Sequence, residues 1–116
     1  MQRNMSFEKT YKSALISPVD LKKLESAIMF SLAHYGWIPV ETSAGAVSAK
    51  YDKSNGIMAK IRITYGNDSF QIEYVESSGL NVDITQTTIH PNYVRWIQNL
   101  MKSINVMYSK SFSVLP

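Results

Sequence analysis

The chain contains no cysteine. That excludes a disulfide framework, a thiolate nucleophile and any metal site built on thiolates, and it leaves the redox compartment open. Histidine is almost as scarce. His34 and His90 are the two in 116 residues, far apart in sequence, with no His-x-x-x-His and no paired-carboxylate spacing, so no metal site is expected. There is no Gly-x-Gly-x-x-Gly, no phosphate-cradling glycine loop and no Gly-x-Ser-x-Gly, so nothing points to a nucleotide cofactor or a serine hydrolase, and no cofactor is expected. Long apolar runs are missing too. The longest, Ala27 to Tyr35, is interrupted by Ser31 and His34 and falls well short of the ~20 residues a membrane span needs. The opening residues, MQRNMSFEKTYK, have no apolar central region, so no signal peptide is expected in this chain.

Charge of one sign is not concentrated anywhere. Twelve Lys and Arg against nine Asp and Glu give a net +3, and Lys22-Lys23 is the only adjacent basic pair. A nucleic-acid binder clusters its cations, so the scattered charge reads as a solvated surface and no nucleic-acid partner is expected. What is present is an ordinary globular balance, 45% hydrophobic and 18% charged residues, in a length that supports one core. The expected organisation is a disordered tail over 1–9, a single α+β domain over 10–109 and a C-terminal tail over 110–116.

Along the chain, Thr10 to Ser17 carries β-formers that suit a short edge strand. Ser17-Pro18-Val19-Asp20 then reads as a helix start, with Ser17 as N-cap, Pro18 at the first helical position and Asp20 completing a capping box. Leu21, Leu24, Ile28, Leu32 and Tyr35 recur at helical spacing. Gly36 ends that helix as a left-handed cap, with Trp37 folding back on Leu32. His34, in the last turn, complements the helix dipole. Strand-like segments follow at Trp37–Thr42, Ala46–Tyr51, Ile57–Tyr65 and Phe70–Tyr74, separated by Ser43-Ala44-Gly45, Asn55-Gly56 and Gly66-Asn67-Asp68. Ile57, Ala59, Ile61, Ile63 and Tyr65 alternate with Met58, Lys60, Arg62 and Thr64, the pattern of a sheet with one buried face.

Glu76 to Thr88 is a polar loop. In "TIHPNYVRWIQNL" the proline marks the first helical position, so His90 is the N-cap and Ile89 can staple to Val94. Tyr93, Ile97, Leu100, Met101, Ile104 and Met107 form the buried stripe, with Trp96 at its flank, while Arg95, Gln98, Asn99 and Lys102 face water. The fold class expected is α+β: a four-stranded antiparallel meander, with a fifth N-terminal edge strand as the alternative. Two helices pack on one face, in the order (β)αββββα.

Two readings of His90 stand side by side. With Asn92, Tyr93 and Asp83 nearby it can serve as a general base or a ligand donor. As an N-cap it simply bonds a backbone N–H, and the weakness of single-residue patterns favours that reading. The strand tyrosines Tyr51, Tyr65 and Tyr74 sit among Lys50, Lys60 and Arg62, an arrangement that can stack single-stranded nucleic acid. Alternation, however, puts Tyr65 and Tyr74 on the face of Ile61, Ile63 and Ile72, in the core.

The runs HYGWIPVETSAGAVSAKY, KIRITYGNDSFQIEYVESSGLNVD and IHPNYVRWIQNLMKSI resemble small bacterial cell-envelope proteins of lipoprotein-like type. The resemblance covers about Ser17 to Ile104 and is carried by Gly36, Trp37, Gly45, Ser78, Leu80, Asn81, Ile89, His90, Asn92, Tyr93, Trp96, Asn99 and Leu100. It departs at Val94, where such proteins often carry another Asn, and in having no lipid-attachment Cys. The resemblance implies a periplasmic or membrane-anchored setting and no reaction. The expectation is therefore a non-enzymatic envelope binding or interaction module, its partner an envelope protein or a small polar ligand. The candidate ligand-binding residues are Ser78, Asn81, Asp83, His90, Asn92 and Tyr93. A small ligand-processing enzyme using His90 is the alternative, and a weak nucleic-acid binder the third reading.

Overall fold

A computed structural model describes residues 3–113. The chain forms β1 (Met5–Ser6), β2 (Thr10–Ala14), α1 (Leu21–His34), β3 (Ile38–Ser43), β4 (Ala46–Ser54), β5 (Ile57–Tyr65), β6 (Ser69–Ser78), β7 (Thr88–Ile89) and α2 (Pro91–Lys110). Strands β2 to β6 make a five-stranded antiparallel sheet in the order β2-β6-β5-β4-β3. The meander β3–β6 is as the alternation requires, and β2 supplies the fifth strand by pairing with β6. Both helices cover one face. Under them lie Val47, Ala49, Ala59, Ile61, Ile63, Phe70 and Ile72, all buried. From above come Leu24, Ile28 and Leu32 of α1 and Tyr93, Ile97, Leu100 and Ile104 of α2. Where the helices touch, the hydroxyls of Ser31 and Ser103 bond at 2.7 Å, which lets a buried serine sit in an apolar seam. No helix among the described residues is long and apolar enough to cross a membrane.

The start of α1 differs from the expected capping box. Asp20 is the N-cap, accepting from the Lys23 backbone N–H at 3.1 Å, and Pro18 lies before the helix. The reason is tertiary. Ser17 Oγ accepts from the Asn67 side chain (3.1 Å) and the Val19 N–H donates to the Asn67 carbonyl (3.0 Å), so residues 17–19 are held by the β5–β6 turn. Leu21 (49% exposed) and Tyr35 (38%) lie outside the buried stripe of α1, and Ala27 and Ser31 belong to it. The other end of α1 follows the sequence reading closely. Gly36 stands at φ +82°, its N–H donates to Ala33 O (3.1 Å) and the Trp37 N–H to Leu32 O (2.8 Å), the paired bonds of a Schellman cap.

Residues 1–9 are not a tail throughout; 1 and 2 lie outside the described residues. Met5 and Ser6 pair antiparallel with Ile89 and Thr88, and Phe7 is buried, edge-on to both Tyr74 and Tyr93. At the other terminus α2 runs to Lys110. Phe112 packs edge-on against Tyr108 beneath the Lys23 ammonium, so 110–113 are likewise not a free tail, and 114–116 lie outside the described residues. Strand β6 is longer than expected because Val75 is bulged out, which lets Glu76, Ser77 and Ser78 continue pairing with β5. It ends at Gly79, at φ +72°, where an added Cβ would stand 2.6 Å from the Gly56 carbonyl oxygen. Only glycine allows this loop to pass the β4–β5 turn so closely.

Candidate functional site

Of the six residues proposed from sequence, Ser78, Asp83, His90 and Asn92 spend side-chain atoms on bonds within the chain. Asp83 organises its own loop. One carboxylate oxygen accepts from the Thr87 and Thr88 backbone N–H groups, both at 2.8 Å, and the other from the Thr87 hydroxyl at 2.9 Å and the Thr85 hydroxyl. The Thr85 hydrogen bond, followed by that of the Thr88 backbone, holds this carboxyl well below the usual carboxylate range. His90 is the N-cap of α2: its Nδ1 accepts from the Asn92 N–H at 3.0 Å, and its carbonyl accepts from Tyr93 N–H at 3.1 Å. Its own N–H donates to Leu80 O at 2.8 Å, joining the loop to the helix start. Asn92 Oδ1 is taken by the Arg95 guanidinium, and the Asn81 carbonyl by Asn4 Nδ2 at 2.6 Å.

Ser78 stands apart from this loop, donating to the Gly56 carbonyl at 2.9 Å and tying β6 to the β4–β5 turn. Tyr93 lies in the core and not at the loop surface. It is 1% exposed, packed among Phe7 and Tyr74, and burial first, then the nearby Tyr11 and Tyr74, push its phenol above the ordinary range. The structure thus brings Asn81, Asp83, His90 and Asn92 to one end of the fold, where they knit the loop to α2. Of the first N–H groups of that helix, which a bound anion would need, those of Asn92 and Tyr93 are already taken by His90.

A concave surface with unused hydrogen-bonding groups lies elsewhere. Tyr35 and Trp37 at the end of α1, Tyr51 on β4, and Trp96 and Asn99 on α2 line a cleft of about 230 Å³. The Schellman cap positions Trp37, turning the chain sharply so that the indole packs inward at 3% exposure. Tyr51 lies beside it, ring centroids 5.4 Å apart and tilted by 35°, and Trp96 meets Tyr51 at 4.9 Å and 85°. Two nearly perpendicular aromatic planes therefore form a corner. Asn99 follows Trp96 by three residues and so shares its side of α2. The Lys53 ammonium stands 5.9 Å from the Trp96 ring. The Asn99 amide, the Tyr35 and Tyr51 hydroxyls and the Trp96 indole N–H make no hydrogen bond to another described residue, and none is buried without a partner.

Two other hollows frame the choice. A groove of about 370 Å³ runs between α1 and the β3–β4 hairpin over Ile28, Met29 and Val47. Across it the Tyr65 hydroxyl donates to Glu25 at 2.8 Å; burial first, then Glu25, raises the Tyr65 phenol. Its acid and its hydroxyl are spent on each other. At the far end of α2, Leu15, Ile16, Pro18, Tyr108 and Phe112 line an apolar hollow of about 500 Å³, where the Tyr108 hydroxyl is occupied by the Asp20 N–H at 3.1 Å. No group of three or more potential metal ligands occurs among the described residues.

The sequence singled out Trp37, Tyr51 and Trp96 separately, as a cap contact, a strand aromatic and a helix flank. The signal available was the Trp96/Asn99 spacing, which places an aromatic and an amide on one exposed edge of α2. No family model matches this chain, and no curated protein matches it either.

Proposed function

We propose that this protein is a non-enzymatic binding module of the bacterial cell envelope, and that its ligand site is the cleft lined by Tyr35, Trp37, Tyr51, Trp96 and Asn99. The carrying observation is that this cleft combines aromatic walls with an amide, two hydroxyls and an indole N–H that make no hydrogen bond to another described residue. Binding sites typically pair mostly apolar walls with a few oriented polar groups, and this corner has that makeup. The envelope setting rests on the resemblance of the Ile-His-x-Asn-Tyr-x-x-Trp-Ile-x-Asn-Leu helix.

The competing readings fare less well against the geometry. An enzyme using His90 as a base needs a free ring lone pair, whereas Nδ1 spends its lone pair on the Asn92 N–H and the neutral ring then carries its proton on Nε2. Stacking nucleic acid on the open sheet face needs its tyrosines there, whereas Tyr65 and Tyr74 turn toward the helices. The test is a two-dimensional NMR titration with a panel of small polar metabolites, following the two indole N–H signals and the His90 loop amides together. Ligands should move Trp96. Shifts centred on Asn81, Asp83 and Asn92 with both indoles unmoved would refute the site, and fractionation of the native host would test the compartment.

A further inference from the structure

We propose that the aromatic cleft takes a single saccharide ring, stacked on Trp96 and held at its rim by Asn99, an assignment that rests on the binding reading above. Size comes first. At about 230 Å³ the cleft lies below the ~300–1,000 Å³ typical of pockets for drug-sized ligands, so it accommodates one ring and not an extended cofactor.

Ring chemistry narrows the class. Aromatic faces carry negative charge density and attract groups with positive edges. Two kinds of ligand satisfy them: a cation, or the C–H face of a pyranose. A cation is disfavoured here, because the Lys53 ammonium already stands 5.9 Å from the Trp96 ring and none of the lining residues is acidic. A second positive charge would meet a like charge at the same ring, with no carboxylate to offset it. A pyranose brings no charge. Its C–H face suits Trp96, and the perpendicular Tyr51 ring closes one side.

The rim supplies the rest. Sugar hydroxyls each donate and accept, and they match groups that do the same: the Asn99 amide and the Tyr35 and Tyr51 hydroxyls, with the Trp96 indole N–H as a further donor. A flat aromatic ligand would fill the corner but leave those polar groups to water. At the His90 loop, by contrast, the Asp83 carboxylate, His90 Nδ1 and Asn92 Oδ1 already have partners within the chain.

The experiment titrates ¹⁵N-labelled protein with cellohexaose, chitohexaose and maltohexaose, and separately with tetramethylammonium chloride as the cation probe. The expected result is a saturable shift of the Trp96 indole N–H with at least one oligosaccharide. Trp96→Ala should weaken that binding about tenfold or more, on the scale of other aromatic stacking contacts. Asn99→Ala changes an exposed side chain, so the fold is kept, and it should weaken the same binding several-fold. Saturable movement of Trp96 by tetramethylammonium but by none of the sugars overturns the saccharide assignment and leaves the cleft as the binding site. No movement of Trp96 with any probe overturns the saccharide assignment, and the metabolite panel then decides separately whether the cleft binds anything.

Discussion

Phe7→Ala tests whether the N-terminal segment belongs to the domain. Phe7 is 8% exposed, edge-on to Tyr74 at 5.4 Å and to Tyr93 at 5.8 Å, and its N–H donates to Thr87 O at 3.1 Å. A phenylalanine burying ~150–250 Å² at ~25 cal/mol per Å² contributes about 4–6 kcal/mol gross. The measurable loss is smaller. A segment at a chain end can undock, recovering roughly 1–2 kcal/mol of backbone entropy for each residue it frees. The cost of the substitution is therefore capped by the net docking free energy of β1 and Phe7, which by these estimates is at most about 3 kcal/mol once Met5, Ser6 and Phe7 are freed. Urea unfolding followed by circular dichroism gives the number, and undocking adds a second signature. The denaturant slope should fall, because less surface remains to be exposed on unfolding. Amide exchange should accelerate at the Met5–Ile89 pairing before it does in the central strands. A variant within about 0.5 kcal/mol of wild type, the range of ordinary surface substitutions, would refute the packing and restore the tail.

Ile63→Ala removes a fully buried side chain from the centre of the sheet and should cost about 2–5 kcal/mol in the same assay, while a cost near zero would mean the sheet is inside out. His90→Ala should cost about 0.5–2 kcal/mol by exposing the Asn92 N–H, and His90→Asn, a good cap, should recover most of it; equal losses in both variants would show that capping is not the role. Asp83 carries a pH prediction. Its folded pKa is depressed, chiefly by the Thr85 hydroxyl, so the unfolded chain binds more protons in acid. The Asp83 contribution is present above the unfolded value of ~4 and is lost as pH falls below it. The urea midpoint of Asp83→Asn should therefore fall less steeply below pH ~4 than that of wild type, and parallel slopes would refute the role of this loop carboxylate.

Where the fold was legible in the sequence, local chemistry and tertiary packing agreed. The alternation in Ile57–Tyr65 is reproduced at the centre of β5, where Ala59, Ile61 and Ile63 are buried and Lys60 and Arg62 are not, and Gly36 with Trp37 builds the cap their types announce. The misreadings have a common cause. Ser17-Pro18-Val19-Asp20 contains two plausible caps three residues apart, and the choice is made by Asn67, fifty residues away from Ser17. Phe7 sits in a polar stretch with no periodicity to betray it, and only the pocket between Tyr74 and Tyr93 explains its burial. Long-range contacts of this kind leave no mark on the local pattern.

The candidate site inverts the same lesson. Clusters of Asp, His and Asn attract a functional reading because these side chains have many hydrogen bonds to give, but a loop returning to a helix start has many backbone groups to satisfy. Asp83 meets two N–H groups and two hydroxyls, and His90 Nδ1 meets a third N–H, so these groups go into making the loop hold its shape. Aromatic side chains carry the opposite bias: at helical spacing they read as core. Trp96 is drawn to the flank of its stripe because Tyr93, Ile97 and Leu100 already fill the centre. The Schellman cap brings Tyr35 and Trp37 to meet it, and Tyr51 completes the corner. The proposed distinction between site and scaffold in this molecule is therefore hydrogen-bonding capacity left over beside an apolar wall. On the reading proposed above, such capacity set against aromatic walls is found at Asn99 and the tyrosine hydroxyls around Trp96.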